Sequence, residues 1–326
     1  MTVIIEIIIF LVSCLALFLG GQLMAESSIK ISKFLGWKEF VVSFFLVAFI
    51  ASFPEIVIGI SAALRGIPEL SFGNIVGANI IHFTIAIGLS ALAIGGVPVN
   101  SKTVQIGSIF AAVIGIFPIL MLMDGVLSRG DGIILVFSFL GYTAWLFSKK
   151  EHFTKIYGFK NRKERSIMNI MNLFWTVAKL VLGAIIILIS AQGLVVSASG
   201  FAEALRVPIG LIGLLIVGFG TALPESFFSM LSAKKNQSWM ILGNLMGCVA
   251  ITASVVLGMV AIIKPIEIVD QSPYIIARIF LIISSFIFLI FLRKGKEISK
   301  KDAKILLLVY IIYLIAEIFI RPYFIK

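Results

Sequence analysis

Residues 20–93 of this chain lie over residues 190–263 without a gap, at a constant spacing of 170 residues. Gln22 falls on Gln192, Ser27 on Ser197, Pro54-Glu55 on Pro224-Glu225, and Gly73-Asn74 with Gly77 on Gly243-Asn244 with Gly247. Apolar composition aligns Val with Ile almost anywhere, but it does not put a Pro-Glu pair and a Gly-Asn-x-x-Gly pattern in register twice. The chain is a duplication, and its fold has to place two equivalent halves around something that both of them need.

The halves belong in a membrane. Sixty per cent of the 326 residues are hydrophobic and 13% are charged, against roughly 25% charged in soluble domains, and the mean hydropathy is +1.14. Apolar runs of about 20 residues, enough to cross a ~30 Å hydrocarbon core, recur from end to end. They predict ten helices near 2–24, 39–63, 72–95, 103–123, 131–148, 172–195, 209–233, 239–263, 273–293 and 304–323. The first run lacks the basic start and the small-residue cleavage site of a signal peptide and reads as a retained helix.

A net charge of +11 does not point to nucleic acid here, because in a membrane protein the question is which connections carry the charge. Nineteen of the 27 Lys and Arg lie in 25–38, 96–102, 149–171, 234–238 and 293–304, on alternate connections. The positive-inside rule puts these in the cytoplasm and both termini outside. The organisation read from this is a first membrane repeat over 1–148, a basic cytoplasmic linker over 149–171 and a second membrane repeat over 172–326. Five helices per half is an odd number, so the second repeat enters the membrane from the opposite side. The fold class is therefore an all-α integral membrane protein of ten helices in two inverted repeats. Secondary transporters use this plan, with the binding site near the midplane where the repeats meet.

Glu55 and Glu225 dominate the chemistry. A carboxylate at membrane depth costs about 2.5–3.5 kcal/mol on insertion scales, so it marks a functional site. Pro54 and Pro224 remove a backbone donor and clash with the preceding turn, freeing carbonyls just upstream. Such carbonyls survive in a membrane only when protein, water or an ion satisfies them. The segments 50–53 and 220–223 are thus predicted to supply oxygen donors beside the two glutamates. Cys14 and Cys248 both fall inside helices, which argues against a disulfide. No Gly-x-Gly-Asp, His-Glu-x-x-His or Gly-x-Ser-x-Gly is present, and an enzyme is not expected. Glu6, Asp124 and Glu317, near helix ends, read as solvated, and the matched Gln22 and Gln192 as makers of a structural hydrogen bond.

At these motifs the chain resembles the cation/Ca²⁺ antiporter superfamily, the sodium/calcium exchangers, whose two alpha repeats read approximately Gly-Thr-Ser-x-Pro-Glu followed by Gly-Asn-x-x-Gly-Ser-Asn. Gly220-Thr221-Ala222-Leu223-Pro224-Glu225 is the closer copy and Ile50-Ala51-Ser52-Phe53-Pro54-Glu55 the weaker. The second motif stands as Gly73-Asn74-Ile75-Val76-Gly77-Ala78-Asn79 and Gly243-Asn244-Leu245-Met246-Gly247-Cys248-Val249. The resemblance implies a sodium/calcium exchanger-like fold and an antiporter exchanging Ca²⁺ for Na⁺ or H⁺ across the cell membrane. It implies no cofactor, and its partners are inorganic cations and the lipid bilayer, with no nucleic acid; a monomer is expected. It makes Glu55 and Glu225 the Ca²⁺ carboxylates, with Ser52, Thr221 and the carbonyl at Ala51 completing the shell. Helices 2–24 and 172–195 become the sliding pair.

The departures from the pattern concern the counter-ion. Ala51, Ala222, Ala78 and Cys248 stand where the family has hydroxyls, Asn79 is matched by Val249, and one turn beyond the second motif stand His82 and Thr252. Asn79, His82, Thr252 and Cys248 are therefore candidate ligands of altered chemistry, with Asn74, Asn244, Pro54 and Pro224 in support. His82, with an ordinary pKa near 6.5, makes H⁺ coupling plausible. His82 and Cys248 together leave room for a softer divalent ion of the Mn²⁺ or Zn²⁺ kind. A degenerate exchanger serving as a sensor or structural subunit is the remaining alternative.

Overall fold

A computed structural model describes residues 2–35, 48–99, 102–148, 170–234, 239–268, 270–295 and 297–319. Within these the chain is helical. In order it forms α1 (Thr2–Leu35), α2 (Ala48–Ala51), α3 (Phe53–Leu64), α4 (Glu69–Ile81), α5 (Ile87–Ile94), α6 (Lys102–Met121), α7 (Arg129–Ser148) and α8 (Ile170–Leu205). It continues through α9 (Ile209–Ile212), α10 (Gly218–Lys234), α11 (Trp239–Ala250), α12 (Leu257–Ile263), α13 (Ile275–Lys294) and α14 (Lys300–Phe319). Residues 39–47 of the second predicted helix and 149–169 of the predicted linker lie outside the described residues.

Six described spans are long and apolar enough to cross a membrane. They differ in what their side chains meet. Glu69–Ile94 and Ile241–Ile263 are 83% and 78% buried within the protein, whereas Ile4–Ser28 and Asn172–Leu205 are 17% and 39% buried. The first two, equivalent under the 170-residue spacing, are the centre of the molecule; the last two present Ile4, Ile8, Leu11, Leu182, Ile185 and Ile189 outward, as lipid-facing helices do.

α1 and α8 run well past their predicted ends at 24 and 195. Each is about 50 Å long at 1.5 Å per residue, longer than the hydrocarbon core, and the extra turns Ala25–Leu35 and Val196–Leu205 contain no Pro or Gly beyond Gly200 to stop them. They pack along each other through glycine: a Cβ on Gly20 would lie 3.0 Å from the Gly183 carbonyl, and one on Gly183 2.8 Å from that of Gly20. Small residues at a membrane helix contact let backbones approach this way.

Among the described residues, three helices contain π turns that the sequence does not announce: His82–Ala86 between α4 and α5, Gly213–Val217 between α9 and α10, and Ile251–Val256 between α11 and α12. The first and third occupy equivalent places in the two halves. A π turn inserts one residue into the helix and is common at functional sites.

Two short antiparallel pairs tie the halves together. β1 (Gly96–Pro98) pairs with β4 (Glu297–Ser299), matching Val97 to Ile298, and β2 (Val126–Leu127) pairs with β3 (Ile266–Glu267), matching Leu127 to Ile266. In both, the segment after a buried helix of one half meets the segment before the last helix of the other.

Those last helices start alike. Ser128 donates its N–H and Oγ–H to Asp131 Oδ2 at 2.8 and 2.7 Å, and the Asp131 N–H returns to Ser128 Oγ at 3.2 Å. Ser299 and Asp302 repeat the arrangement at 3.0, 2.7 and 3.3 Å. This is a capping box with Asp in the acidic position. Asp302→Ala is expected to lower stability by about 1 kcal/mol, read as a lower thermal midpoint of the purified protein; an unchanged midpoint would contradict the cap's role.

Candidate functional site

The two Pro-Glu segments take different backbones. In the first half the helix is interrupted at Ser52, with Pro54 in the first turn of α3. Ser52 N–H still reaches the Ala48 carbonyl at 2.9 Å, and Ile56 N–H reaches the Ser52 carbonyl at 3.0 Å, so the break is one turn wide. In the second half the predicted interruption is absent: α10 runs Gly218–Lys234 straight through Pro224. A single proline takes away one donor and kinks or breaks a helix according to its surroundings; here the helix continues.

The depth of the site is set by glycine contacts between α4 and the α9–α10 region. A Cβ on Gly73 would collide with the Gly210 carbonyl, one on Gly77 with the Leu214 carbonyl, and one on Gly213 with the Leu70 carbonyl. Only glycine permits backbones this close. The close approach delivers Asn74 to the Pro-Glu segment of the other half, where Thr221 Oγ1 donates to Asn74 Oδ1 at 3.0 Å.

Around that contact the central predicted residues meet. Glu55 and Glu225 are 1% and 6% exposed, and Glu55 sits near both Glu225 and the Thr221 hydroxyl. His82 Nε2 lies 2.6 Å from Glu225 Oε2. The Cys248 thiol points to the Ala48 carbonyl at 3.7 Å and to Asn244 Oδ1 at 3.8 Å, close to Ser52 and Glu225. Ala51 and Pro54 line a cavity with Thr221 and Glu225. Asn79 and Thr252 pair with each other, Thr252 Oγ1 donating to Asn79 Oδ1 at 3.2 Å. All of these side chains come from the predicted central helices.

Among the described residues, both oxygens of Glu55 and the Ser52 hydroxyl are buried without a hydrogen-bond partner, as are the amide nitrogens of Asn74, Asn79 and Asn244. A buried carboxylate lacking donors is expensive, and a set of carboxylate, hydroxyl and carbonyl oxygens suits a hard cation. Among the described residues no three His, Cys, Asp or Glu side chains are arranged to hold a metal ion. His82 is turned onto Glu225, and the Cys248 thiol onto Asn244 and the Ala48 carbonyl.

Other expectations divide. Cys14 and Cys248 are free thiols. Asp124 is exposed and accepts the Val126 N–H at 3.0 Å, as a solvated end should. Glu317 is only 2% exposed, because it shares a face of α14 with Tyr313, one turn away, and that face packs inward. Glu6 is half-buried, its carboxylate against Gly200. Gln192 does make structural hydrogen bonds, accepting from Arg65 Nη2 at 2.9 Å and donating to Ser61 Oγ at 2.6 Å. Its counterpart Gln22 differs: it lines the cavity with Leu17, Phe18, Gly21 and Ala25. The cavity holds about 60 Å³ and is the part of the site that the sequence reading missed; the exact spacing of Gln22 and Gln192 was the available signal.

A family model for sodium/calcium exchanger protein matches residues 5–148 and 175–319. The chain is 25% identical to the sodium/calcium exchanger MaX1 of Methanosarcina acetivorans, covering 97% of this chain and 99% of that one. It is 30% identical over 244 residues to the uncharacterized membrane protein MJ0091 of Methanocaldococcus jannaschii, covering 73% of this chain and 75% of that one. A solved structure of the sodium-calcium exchanger NCX_Mj superposes with a TM-score of 0.69 at 26% identity, covering 96% of this chain and 99% of that one. With both halves matched by the family model and the fold shared along nearly the whole length, this chain belongs to the sodium/calcium exchanger family.

Proposed function

We propose that the protein is a secondary-active antiporter that moves Ca²⁺ across the cell membrane against Na⁺ or H⁺ by alternating access. The observation that carries this is the meeting of Glu55 and Glu225, equivalent residues of the two halves, at one buried place among oxygen donors. Two carboxylates balance a divalent charge, and Ser52, Thr221 and the backbone near Ala51 supply further oxygens of the kind Ca²⁺ takes. The carrier without a cation keeps two carboxylates in a poorly solvated place, which disfavours a turn across the membrane; a carrier loaded with Ca²⁺ or with monovalent ions escapes that penalty. That asymmetry makes exchange easier than uniport.

The architecture in this reading is ten membrane helices in two inverted five-helix repeats, with the linker 149–171 cytoplasmic and both termini outside. Support comes from the crossed strand pairs β1–β4 and β2–β3, the twin capping boxes and the equivalent π turns at His82–Ala86 and Ile251–Val256. MaX1 and NCX_Mj are both described as sodium/calcium exchangers, which favours the same cargo here.

One contact favours H⁺ as the counter-ion. His82 faces Glu225 at 2.6 Å, and Ala51, Ala78, Ala222 and Val249 offer no side-chain oxygen at places where the family provides them. Ca²⁺ uptake into proteoliposomes under an imposed Na⁺ gradient and, separately, an imposed pH gradient tests both. Uptake is expected under at least one gradient, and uptake driven by pH is expected to lose its pH dependence in His82→Asn. Silence under both would contradict Ca²⁺ antiport and favour the degenerate reading.

A further inference from the structure

The repeat makes two passages to the site equivalent in sequence, and the structure treats them differently. One passage lies between α1 and the Pro-Glu segments, the other between α8 and the same segments. Leu17, Gly21, Gln22 and Ala25 in α1 correspond to Ile187, Ala191, Gln192 and Val195 in α8. On the α1 side these residues border the cavity that reaches Thr221 and Glu225, and among the described residues a Cβ built on Gly21 would meet nothing within 4 Å. On the α8 side Ile187, Ala191 and Val195 are all 0% exposed and packed in one apolar cluster with Val57, Ile58 and Ala62 of α3.

Over that packed passage lies a hydrogen-bonded ladder. Gln192 of α8 donates to Ser61 of α3 at 2.6 Å and accepts from Arg65, at the end of α3, at 2.9 Å. Ser61 and Arg65 are six and ten residues beyond Glu55 on the same helix, about 9 and 15 Å along its axis. The 170-residue spacing puts Leu231 and Lys235 at the corresponding places of the other repeat. Leucine can neither donate nor accept a hydrogen bond, so the rung that Ser61 makes has no counterpart for Gln22.

We propose that Arg65, Gln192 and Ser61 form a one-sided latch that holds the passage to Glu55 shut, while the unlatched passage beside Gln22 leaves Glu225 reachable from the opposite end. The inference rests on the exchanger reading, since alternating access needs two passages of which one is closed. It adds that the two closed states are unequal. The latched state carries the Ser61–Gln192 hydrogen bond, which the mirror state cannot make, and the resting carrier is biased toward it.

Thiol labelling of the purified full-length protein in detergent tests this independently of which ions move. Ala191→Cys reports on the latched passage and Gly21→Cys on the open one. With the latch intact, Gly21→Cys is expected to react with a maleimide and Ala191→Cys to be protected. Adding Arg65→Ala, which removes one rung at an exposed position, is expected to raise Ala191→Cys reactivity by about fivefold, on the usual worth of a single hydrogen bond, and to lower Gly21→Cys reactivity. Ser61→Ala, which cuts the other rung, should do the same. Unchanged reactivity at both reporters, with the variants eluting as folded protein, overturns the latch. If labelling shifts as expected but no gradient drives Ca²⁺ uptake, the latch stands and the cargo assignment fails.

Discussion

Replacing Glu55 or Glu225 by Gln is expected to abolish Ca²⁺ exchange while the protein still inserts and purifies. The amide is nearly isosteric, so packing at two positions that are 1% and 6% exposed is preserved and the charge alone is lost. Even at an effective dielectric constant of about 20, a pair of unit charges at 4 Å is worth about 4 kcal/mol, which is about three powers of ten in affinity. A divalent cation loses more. Each single change should therefore be as damaging as the double change, since one remaining carboxylate cannot balance the ion. Normal Ca²⁺ flux in either variant would sink the assignment. Glu225→Gln has an added consequence, because it removes the partner of His82; any residual flux in that variant should also have lost its response to pH.

The second large effect is expected from Gly73→Val. The new Cβ would run into the Gly210 carbonyl, and the Leu214 backbone N–H lies 2.8 Å from the same point. Backbone atoms of a buried helix cannot step aside as a flexible side chain can. Overpacking in a core costs about 1–3 kcal/mol, and more when nothing yields, so this variant is placed at the upper end. The spread between α4 and the α9–α10 region would also pull Asn74 from Thr221, whose hydrogen bond is 3.0 Å long. Loss of monodisperse protein on size exclusion, or loss of transport where folding survives, is the expected outcome. Gly141→Ala is the control: a Cβ there meets nothing within 4 Å, and full stability is expected. Wild-type behaviour of Gly73→Val would show that the close backbone contact is not needed.

Much of this was legible in the sequence because function and duplication left discrete marks. Pro-Glu and Gly-Asn-x-x-Gly are too specific to recur by chance, and the buried glutamates are too costly to be accidental, so the central helices and most of the residues that meet there were identifiable. What escaped was set by three-dimensional context. Pro54 and Pro224 open the same Pro-Glu pair, yet the helix is interrupted at Ser52 and continuous through Pro224, a difference that the shared dipeptide does not encode. Nothing in the sequence sets Arg65 apart from the other basic residues, and only its 2.9 Å contact with Gln192 gives it a role. Glu317 was read as solvated from its place near a helix end, whereas burial depends on which neighbour covers that end. Gln22 and Gln192 illustrate the point most sharply: identical residues in matched positions, one lining a cavity and the other bonded across two helices. A repeated sequence specifies the equivalence of two sites, and an alternating-access protein is bound to break that equivalence in any single conformation.

The central claim is that the two halves share one divalent site. Calorimetric titration of the purified protein with Ca²⁺ tests it most directly, by stoichiometry. One Ca²⁺ per chain is expected in the wild type, and none in Glu55→Gln or in Glu225→Gln. Two Ca²⁺ per chain in the wild type, with each single variant keeping one, would mean that each Pro-Glu pair binds on its own, and would contradict it.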